Sequence, residues 1–161
     1  MTPRLALRKL PYAFKADADI QAVGAARRVV RKVVESLRLG WQAPSLDDLE
    51  LLAGELITNA VVHTGAPCVV CIRWTGRRIR VEVTDTDTRD AELKTPPPSD
   101  EHGRGLLLVD VLAAAWGSYR EPAGKTTWCE LAAAAAGPAS GVDAQSTGCR
   151  DRKHAGASAI G

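Results

Sequence analysis

The amino-acid sequence predicts a single α/β domain, and three observations support this prediction. Apolar residues recur at helical spacing over residues 20–39 and again after Pro44, which is typical of amphipathic helices. Apolar and polar residues alternate over residues 78–85, which indicates a strand with one buried face. The 161 residues, of which 45% are apolar, are enough for one hydrophobic core and fit one domain.

The N-terminal part of the chain is predicted to be an irregular lead-in followed by a helix. Within the lead-in, Tyr12–Phe14 is a candidate edge strand. The first helix is expected to cover Ile20–Leu39 and to end at Gly40, because glycine readily adopts the left-handed conformation that follows many helices. Its polar face carries four basic residues, for which a solvated surface is favoured over a partner-docking surface: Arg27, Arg28, Arg31 and Lys32.

A second helix is predicted to start at Pro44 and Ser45. The Ser45 hydroxyl is expected to cap it, and the acidic residues that follow suit the positive N-terminal end of a helix. The helix is expected to end near Thr64 and Gly65. Its apolar residues form one buried stripe: Leu49, Leu52, Ala53, Leu56 and Ala60.

Two strands are predicted next, at Cys68–Trp74 and Arg78–Asp85, joined by a turn. The first strand contains a Cys-x-x-Cys pair, Cys68 and Cys71, which raises the possibility of zinc or redox chemistry. Residues three apart in a strand point to opposite faces of the sheet, so the two thiols would not converge. Buried structural cysteines are therefore the favoured interpretation.

The remainder of the chain is predicted to be a loop, a helix, a hairpin and a tail. The polar loop, residues 86–102, contains three consecutive prolines, and a loop of this length is usually functional or disordered. The predicted elements are a glycine turn at Gly103–Gly105, a helix at Leu106–Ala115, and hairpin strands at Trp116–Arg120 and Lys125–Leu131. The Ala/Gly/Ser-rich residues 133–161 are expected to be disordered, and the domain proper to cover residues 12–132, after a lead-in of residues 1–11.

Charge and hydropathy narrow the classes of partner. The formal net charge is only +2, so the concentrated basic surface of a nucleic-acid-binding protein is not predicted. No apolar run approaches the roughly 20 residues that a membrane helix needs. The N-terminus also lacks a signal-peptide pattern, so the expected location is the cytoplasm.

A polar series in the second helix is the first candidate for chemistry. Glu55, Asn59 and His63 lie one helical turn apart and therefore share one side of the helix, beside its apolar stripe. An Asn amide oxygen is a suitable ligand for Mg²⁺, and a Glu one turn away can accept a proton. Taken alone, the series is better explained as a solvent-exposed Glu–Asn pair on an amphipathic helix.

Two further motifs follow in the chain. Asp85 ends a predicted strand, where its carboxylate can accept hydrogen bonds from an exocyclic amine such as that of adenine. Gly103 and Gly105 precede a helix, and glycines at a helix N-terminus allow phosphate to approach the backbone. The pattern is neither a Walker loop nor a dinucleotide-binding fingerprint.

The order of these motifs resembles the GHKL ATPase superfamily, over residues 12–132, and more closely its anti-sigma-factor serine kinase branch, the RsbW and SpoIIAB type. The resemblance implies a two-layer α+β sandwich with helices on one face of a mixed, mainly antiparallel sheet. It also implies ATP and Mg²⁺ as cofactors, with Asn59 as the Mg²⁺ ligand, Glu55 as the catalytic base and Asp85 at the adenine. The other implied nucleotide-binding residues are His63, Gly103, Arg104, Gly105, Leu106 and Thr126.

The function implied by this resemblance is that of a serine/threonine protein kinase. Its partners would be a sigma factor and an anti-sigma-antagonist protein, and a homodimer is implied. The alternative is a non-catalytic ATP-binding switch that sequesters a partner. The chain departs from the family pattern at Asp87, where a small residue is usual: an acidic side chain there would either weaken nucleotide binding or point to solvent.

Overall fold

The computed structural model describes residues 10–87 and 104–132, apart from the side chains of Pro44 and Arg104. The predicted tail and nearly all of the predicted loop and lead-in lie outside these residues. The strands are β1 (Tyr12–Ala16), β2 (Cys68–Trp74), β3 (Arg78–Asp85), β4 (Ala115–Glu121) and β5 (Gly124–Ala132). The helices are α1 (Ile20–Ser36), α2 (Ala43–Thr64) and α3 (Arg104–Leu112).

The described strands form one sheet in the order β1-β2-β3-β5-β4, and every neighbouring pair is antiparallel. The predicted edge strand is confirmed as β1, which pairs with β2 from Tyr12↔Ile72 to Ala16↔Cys68. Along β2, the alternation of the pleat places Cys68 on the buried face and Cys71 on the other. Burial raises the pKa of the Cys68 thiol to about 11, so it stays protonated at neutral pH.

The helices form a second layer on one face of the sheet. α2 packs against β2, β3 and β5, while α1 and α3 pack against α2. This arrangement confirms the predicted two-layer α+β sandwich. The core between the layers is aliphatic, and its largest fully buried side chains include Leu49, Leu52, Leu56, Ile57, Ile72, Ile79, Val81 and Val83.

The helix ends differ from the sequence prediction in two places. α1 stops at Ser36, before the predicted end at Leu39, because the backbone turns left-handed at Arg38 (φ 50°), ahead of Gly40 (φ 72°). α2 begins at Ala43 with Gln42 as its cap residue, so Ser45 lies inside the first turn and is not the cap that was predicted. The predicted end of α2 is confirmed, with Gly65 in the left-handed conformation (φ 61°).

α3 and the hairpin also have shifted boundaries. The predicted helix Leu106–Ala115 is observed at Arg104–Leu112, and Ala115 already belongs to β4. The chain leaves the helix here because the Ala114 amide donates to the Glu130 carbonyl of β5 at 2.8 Å, which joins the segment to the sheet. The hairpin strands extend slightly beyond their predicted limits on both sides.

The basic face of α1 is partly used within the fold. Arg31 forms hydrogen-bonded ion pairs with Glu35 on α1 and with Asp47 and Glu50 on α2. Arg27 Nε lies 3.7 Å from Glu50 Oε1, and the aliphatic part of the Arg27 side chain packs against Gly54 of α2. These contacts join α1 to α2 through Arg27 and Arg31, whereas Arg28 and Lys32 are exposed, as expected for a solvated face.

Candidate functional site

The cleft between α2 and α3 contains a cavity of about 190 Å³. The described residues that line it lie between positions 55 and 62 of α2 and between positions 105 and 109 of α3: Glu55, Leu56, Thr58, Asn59, Val62, Gly105, Leu106 and Val109. Four residues predicted for the site from separate motifs, Glu55, Asn59, Gly105 and Leu106, are therefore neighbours around one cavity.

The closest approach in this cleft is between Glu55 and Gly105. A Cβ atom at Gly105 would overlap Glu55 Oε2, so the carboxylate lies directly against the backbone of the first turn of α3. Only glycine permits that approach without a shift of the glutamate. The N-terminal turn of a helix carries partial positive charge, which suits an anionic group at this place.

Asn59 and His63 continue along α2 from Glu55. Asn59 is half-buried and lines the cavity, whereas His63 is exposed. His63 lies close enough to Asp85 for its charge to lower the pKa of that carboxyl slightly. The predicted polar series on α2 thus spans the distance between the α3 contact and the end of β3.

Asp85 is buried at the end of β3, with only 6% of its surface exposed. Its Oδ1 accepts a hydrogen bond of 2.8 Å from the backbone N–H of Asp87. Burial raises the pKa of Asp85, while the Asp87 amide and the positive charge of Lys125 act in the opposite direction. The result is a desolvated carboxylate on the helix side of the sheet.

Asp87 neither points to solvent nor stands as an isolated negative charge. Its Oδ2 lies 3.6 Å from the ammonium nitrogen of Lys125 on β5, and the two side chains are 11% and 6% exposed. Gly124 precedes Lys125 and lies against the Asp85 carbonyl so closely that a Cβ there would overlap it. Gly124 and Lys125, at the start of β5, therefore contact residues 85–87, where the chain leaves β3.

Thr126 is placed away from the other predicted site residues. It pairs with Thr84 across β3 and β5, and both side chains lie on the face of the sheet opposite the helices. Thr126 Oγ1 shares a 2.7 Å hydrogen bond with Thr84 Oγ1 and donates to Glu121 Oε1 at 3.2 Å. Its neighbour Thr127, opposite Val83, is on the helix side and was missed, although alternation from the buried Cys129 would have identified it.

Some predicted residues cannot be placed. Gly103 and the side chain of Arg104 are outside the described part of the chain, and the structure gives only the backbone start of α3 at Arg104.

Within residues 10–87 and 104–132, no cluster of three or more His, Cys, Asp or Glu side chains could hold a metal ion. In the same residues, no helix is long and apolar enough to cross a bilayer.

Comparisons with known proteins agree with this architecture. Residues 16–130 match the family model of the histidine kinase-like ATPase domain. An uncharacterised protein of Streptomyces coelicolor is 35% identical over 83 residues, which cover 48% of this chain and 79% of that protein.

A solved structure gives the same fold. The crystal structure of the RsbU and RsbW domains of Rv1364c from Mycobacterium tuberculosis matches with a TM-score of 0.57 at 20% identity. The match covers 76% of this chain but only 31% of that one. At this level of identity, the likeness shows the fold alone.

Proposed function

The chain belongs to the histidine kinase-like ATPase domain family, and from this premise we propose that it is an ATP-binding regulatory protein with serine/threonine protein kinase activity. Its substrate would be an anti-sigma-factor antagonist and its second partner a sigma factor. A homodimer, a cytoplasmic location and the lack of direct nucleic-acid contacts belong to the same proposal.

The observation that carries the proposal is the meeting of Glu55, Asn59 and Gly105 around one cavity. The Asn59 amide oxygen is the kind of hard ligand that Mg²⁺ accepts beside phosphate oxygens. Glu55, one turn away, supplies a carboxylate at the same cavity. Asp85 supplies a second, buried carboxylate for the amine of adenine, at the end of β3.

Bound Mg²⁺ and ATP would supply the transferable γ-phosphoryl group and neutralise its charge. The chain supplies the proton acceptor. Glu55 would accept the proton of a substrate serine or threonine hydroxyl when that hydroxyl receives the phosphoryl group and ADP leaves. General-base assistance of this kind contributes on the order of 10² to 10⁴ in rate.

The second candidate is a switch that binds ATP without transferring phosphate. One observation favours it: the Glu55 carboxylate lies against the first turn of α3, where it would stabilise the helix without acting as a base. The acidic Asp87, by contrast, no longer counts in favour of the switch, because Lys125 balances its charge.

Glu55→Gln separates the two functions. The substitution keeps the size and polarity of the side chain but removes the proton acceptor, so ATP binding should persist. With labelled ATP, Mg²⁺ and candidate antagonist proteins, we expect phosphotransfer to fall by about 10² to 10⁴. Glu35→Gln, which removes an exposed carboxylate on α1, is the matched control and should transfer phosphate at the wild-type rate.

Two outcomes would contradict parts of the proposal. If the wild-type protein binds ATP and an antagonist yet transfers no phosphate to it, the non-catalytic switch is the better description. If Glu55→Gln transfers phosphate at the wild-type rate, the kinase remains but Glu55 is not its base.

A further inference from the structure

The buried ion pair of Asp87 and Lys125 is the feature of the site that the proposed function does not use. The Lys125 side chain is only 6% exposed, and lysine is almost never buried so fully unless it is paired. Desolvating two charges offsets much of their attraction, so a pair of this kind is weak grounds for stability. Its position beside Asp85 indicates a different role.

Asp87 is linked to Asp85 through the backbone and to Lys125 through its side chain. Its N–H donates to Asp85 Oδ1 at 2.8 Å, which closes a short turn of the kind that Asp side chains form two residues onward. Its carboxylate meets Lys125, the residue opposite Asp85 in the β3–β5 ladder. The turn at residues 85–87 is therefore anchored at both ends.

This anchoring determines how the Asp85 carboxylate is presented. Because the Asp87 amide occupies Oδ1, rotation of the carboxylate is restricted and Oδ2 is oriented with it. Loss of Lys125 would remove the ion pair that holds the Asp87 side chain, so the Asp87 amide would be held less firmly at Oδ1. Lys125 thus acts on Asp85 through Asp87 as well as through its own charge.

We propose that Asp87 and Lys125 are positioning residues that orient Asp85 toward the exocyclic amine of an adenine nucleotide, and so set the preference of the site for that amine. This inference rests on the proposed function in one respect, that the site binds ATP. It does not depend on phosphate transfer.

Calorimetric titration with ATP and with purine riboside 5′-triphosphate, which is ATP without its 6-amino group, tests the proposal. We expect the wild-type protein to bind ATP at least about tenfold more tightly than the analogue, in line with one charge-assisted hydrogen bond. In Lys125→Met and in Asp87→Asn, that ratio should fall to about threefold or less. Asp87→Asn keeps the backbone N–H and the side-chain shape, so it decides the matter even if Lys125→Met does not fold.

Two controls distinguish positioning from general support of the fold. Lys125→Arg retains a cation opposite Asp87 and should retain the ATP preference. Lys15→Met removes an exposed lysine on β1 and should leave both affinities unchanged.

The possible failures are distinguishable from one another. The inference is overturned if both variants keep the wild-type ratio, including the case in which the two ligands weaken equally. It is also overturned, with the kinase proposal intact, if the wild-type protein binds the two ligands equally well. If the wild-type protein binds neither, the proposed function fails and the inference fails with it.

Discussion

At the scale of single residues, the candidate site depends on two glycines that allow close contacts between neighbouring segments. Glycine at position 105 allows the Glu55 carboxylate to reach the α3 backbone, and glycine at position 124 allows β5 to approach Asp85. Asp85 itself is a buried acid with one oxygen already bonded to its own chain. Burial of the Asp85 carboxylate costs stability in the free protein, but it leaves a charged acceptor that a ligand amine would satisfy.

Asp85→Asn should raise the stability of the free protein and lower its affinity for ATP. In the folded state burial raises the pKa of Asp85 above its ordinary value of 3.8, so the folded protein holds this proton more tightly than the unfolded chain. The free energy of unfolding therefore falls as pH rises through the interval from 3.8 to the raised pKa, and stays lower above it. The asparagine variant, which has no charge to bury, should melt at a higher temperature than the wild-type protein at pH 7, without nucleotide.

The same variant should bind ATP about tenfold to a hundredfold more weakly, because a charged hydrogen-bond acceptor has been lost.

Melting curves at pH 7 and at pH 3 measure the predicted change in stability, and the difference between Asp85→Asn and the wild-type protein should vanish at the lower pH. A variant that melts lower than the wild-type protein at pH 7 would show that attraction to Lys125 and His63 outweighs burial.

At the scale of elements, α2 connects the core to the site. Its apolar side, which includes Leu52, Leu56 and Ile57, is buried in the core, and the adjacent edge carries Glu55 and Asn59. The position of the polar edge is thus set by packing of the apolar side. The other junction that matters is between the end of β3 and the start of β5, where Gly124 lies against backbone atoms of Asp85 and Thr86.

Gly124→Ala should be strongly destabilising. The atoms that a Cβ would meet belong to the backbone, so relief requires the β3–β5 ladder to open locally. We expect the free energy of unfolding to fall by about 3 kcal/mol, as for severe overpacking, measured by urea denaturation.

Gly24→Ala is the matched control, since its Cβ would meet only Arg28 Nη1 at an ordinary 3.6 Å. In the interior of α1 this change should stabilise the protein by about 0.5–1 kcal/mol. Equal effects of the two substitutions would mean that the close approach at Gly124 is not a constraint in solution.

At the scale of the whole molecule, the two faces of the sheet have different characters. The helix side is the aliphatic core and the site. The other side carries an ion-pair ladder in which Arg80 bonds Glu82 at 2.9 Å and Glu130 at 3.2 Å, with its guanidinium 3.8 Å from the centre of the Trp128 ring. This charged, self-paired face contrasts with the helix side, where the proposed nucleotide site lies.

Residues 10–132 should fold without the rest of the chain. Among the described residues, the helices and strands of the sandwich, its core and the cavity all lie within this range, and Leu10 packs against the core. We expect a fragment of these residues to melt within a few degrees of the full chain and to bind ATP within about twofold of it, by calorimetry. An unfolded fragment, or one that binds ATP more than tenfold more weakly, would show that the domain extends beyond residues 12–132.

The sequence by itself determined the nature and approximate position of each described element. Periodicity predicted α1, α2, β2 and β3, because the spacing of apolar residues is a local property that each element imposes on its own stretch of chain. Element ends were less predictable: Ser45 was a plausible cap, yet the helix begins before it. The end of a helix depends on where the next contact takes the chain, as Ala114 shows on joining β5.

Only the tertiary structure decided which of the predicted polar residues meet. It brought Glu55 against Gly105, paired Asp87 with Lys125, and put Thr126 on the face away from the helices while Thr127 faces them. These contacts join segments that are distant in the chain, and they depend on strand order, register and helix packing. Because a shift of one residue in register reverses the face of every side chain in a strand, no local pattern around Asp87 or Thr126 could have settled them.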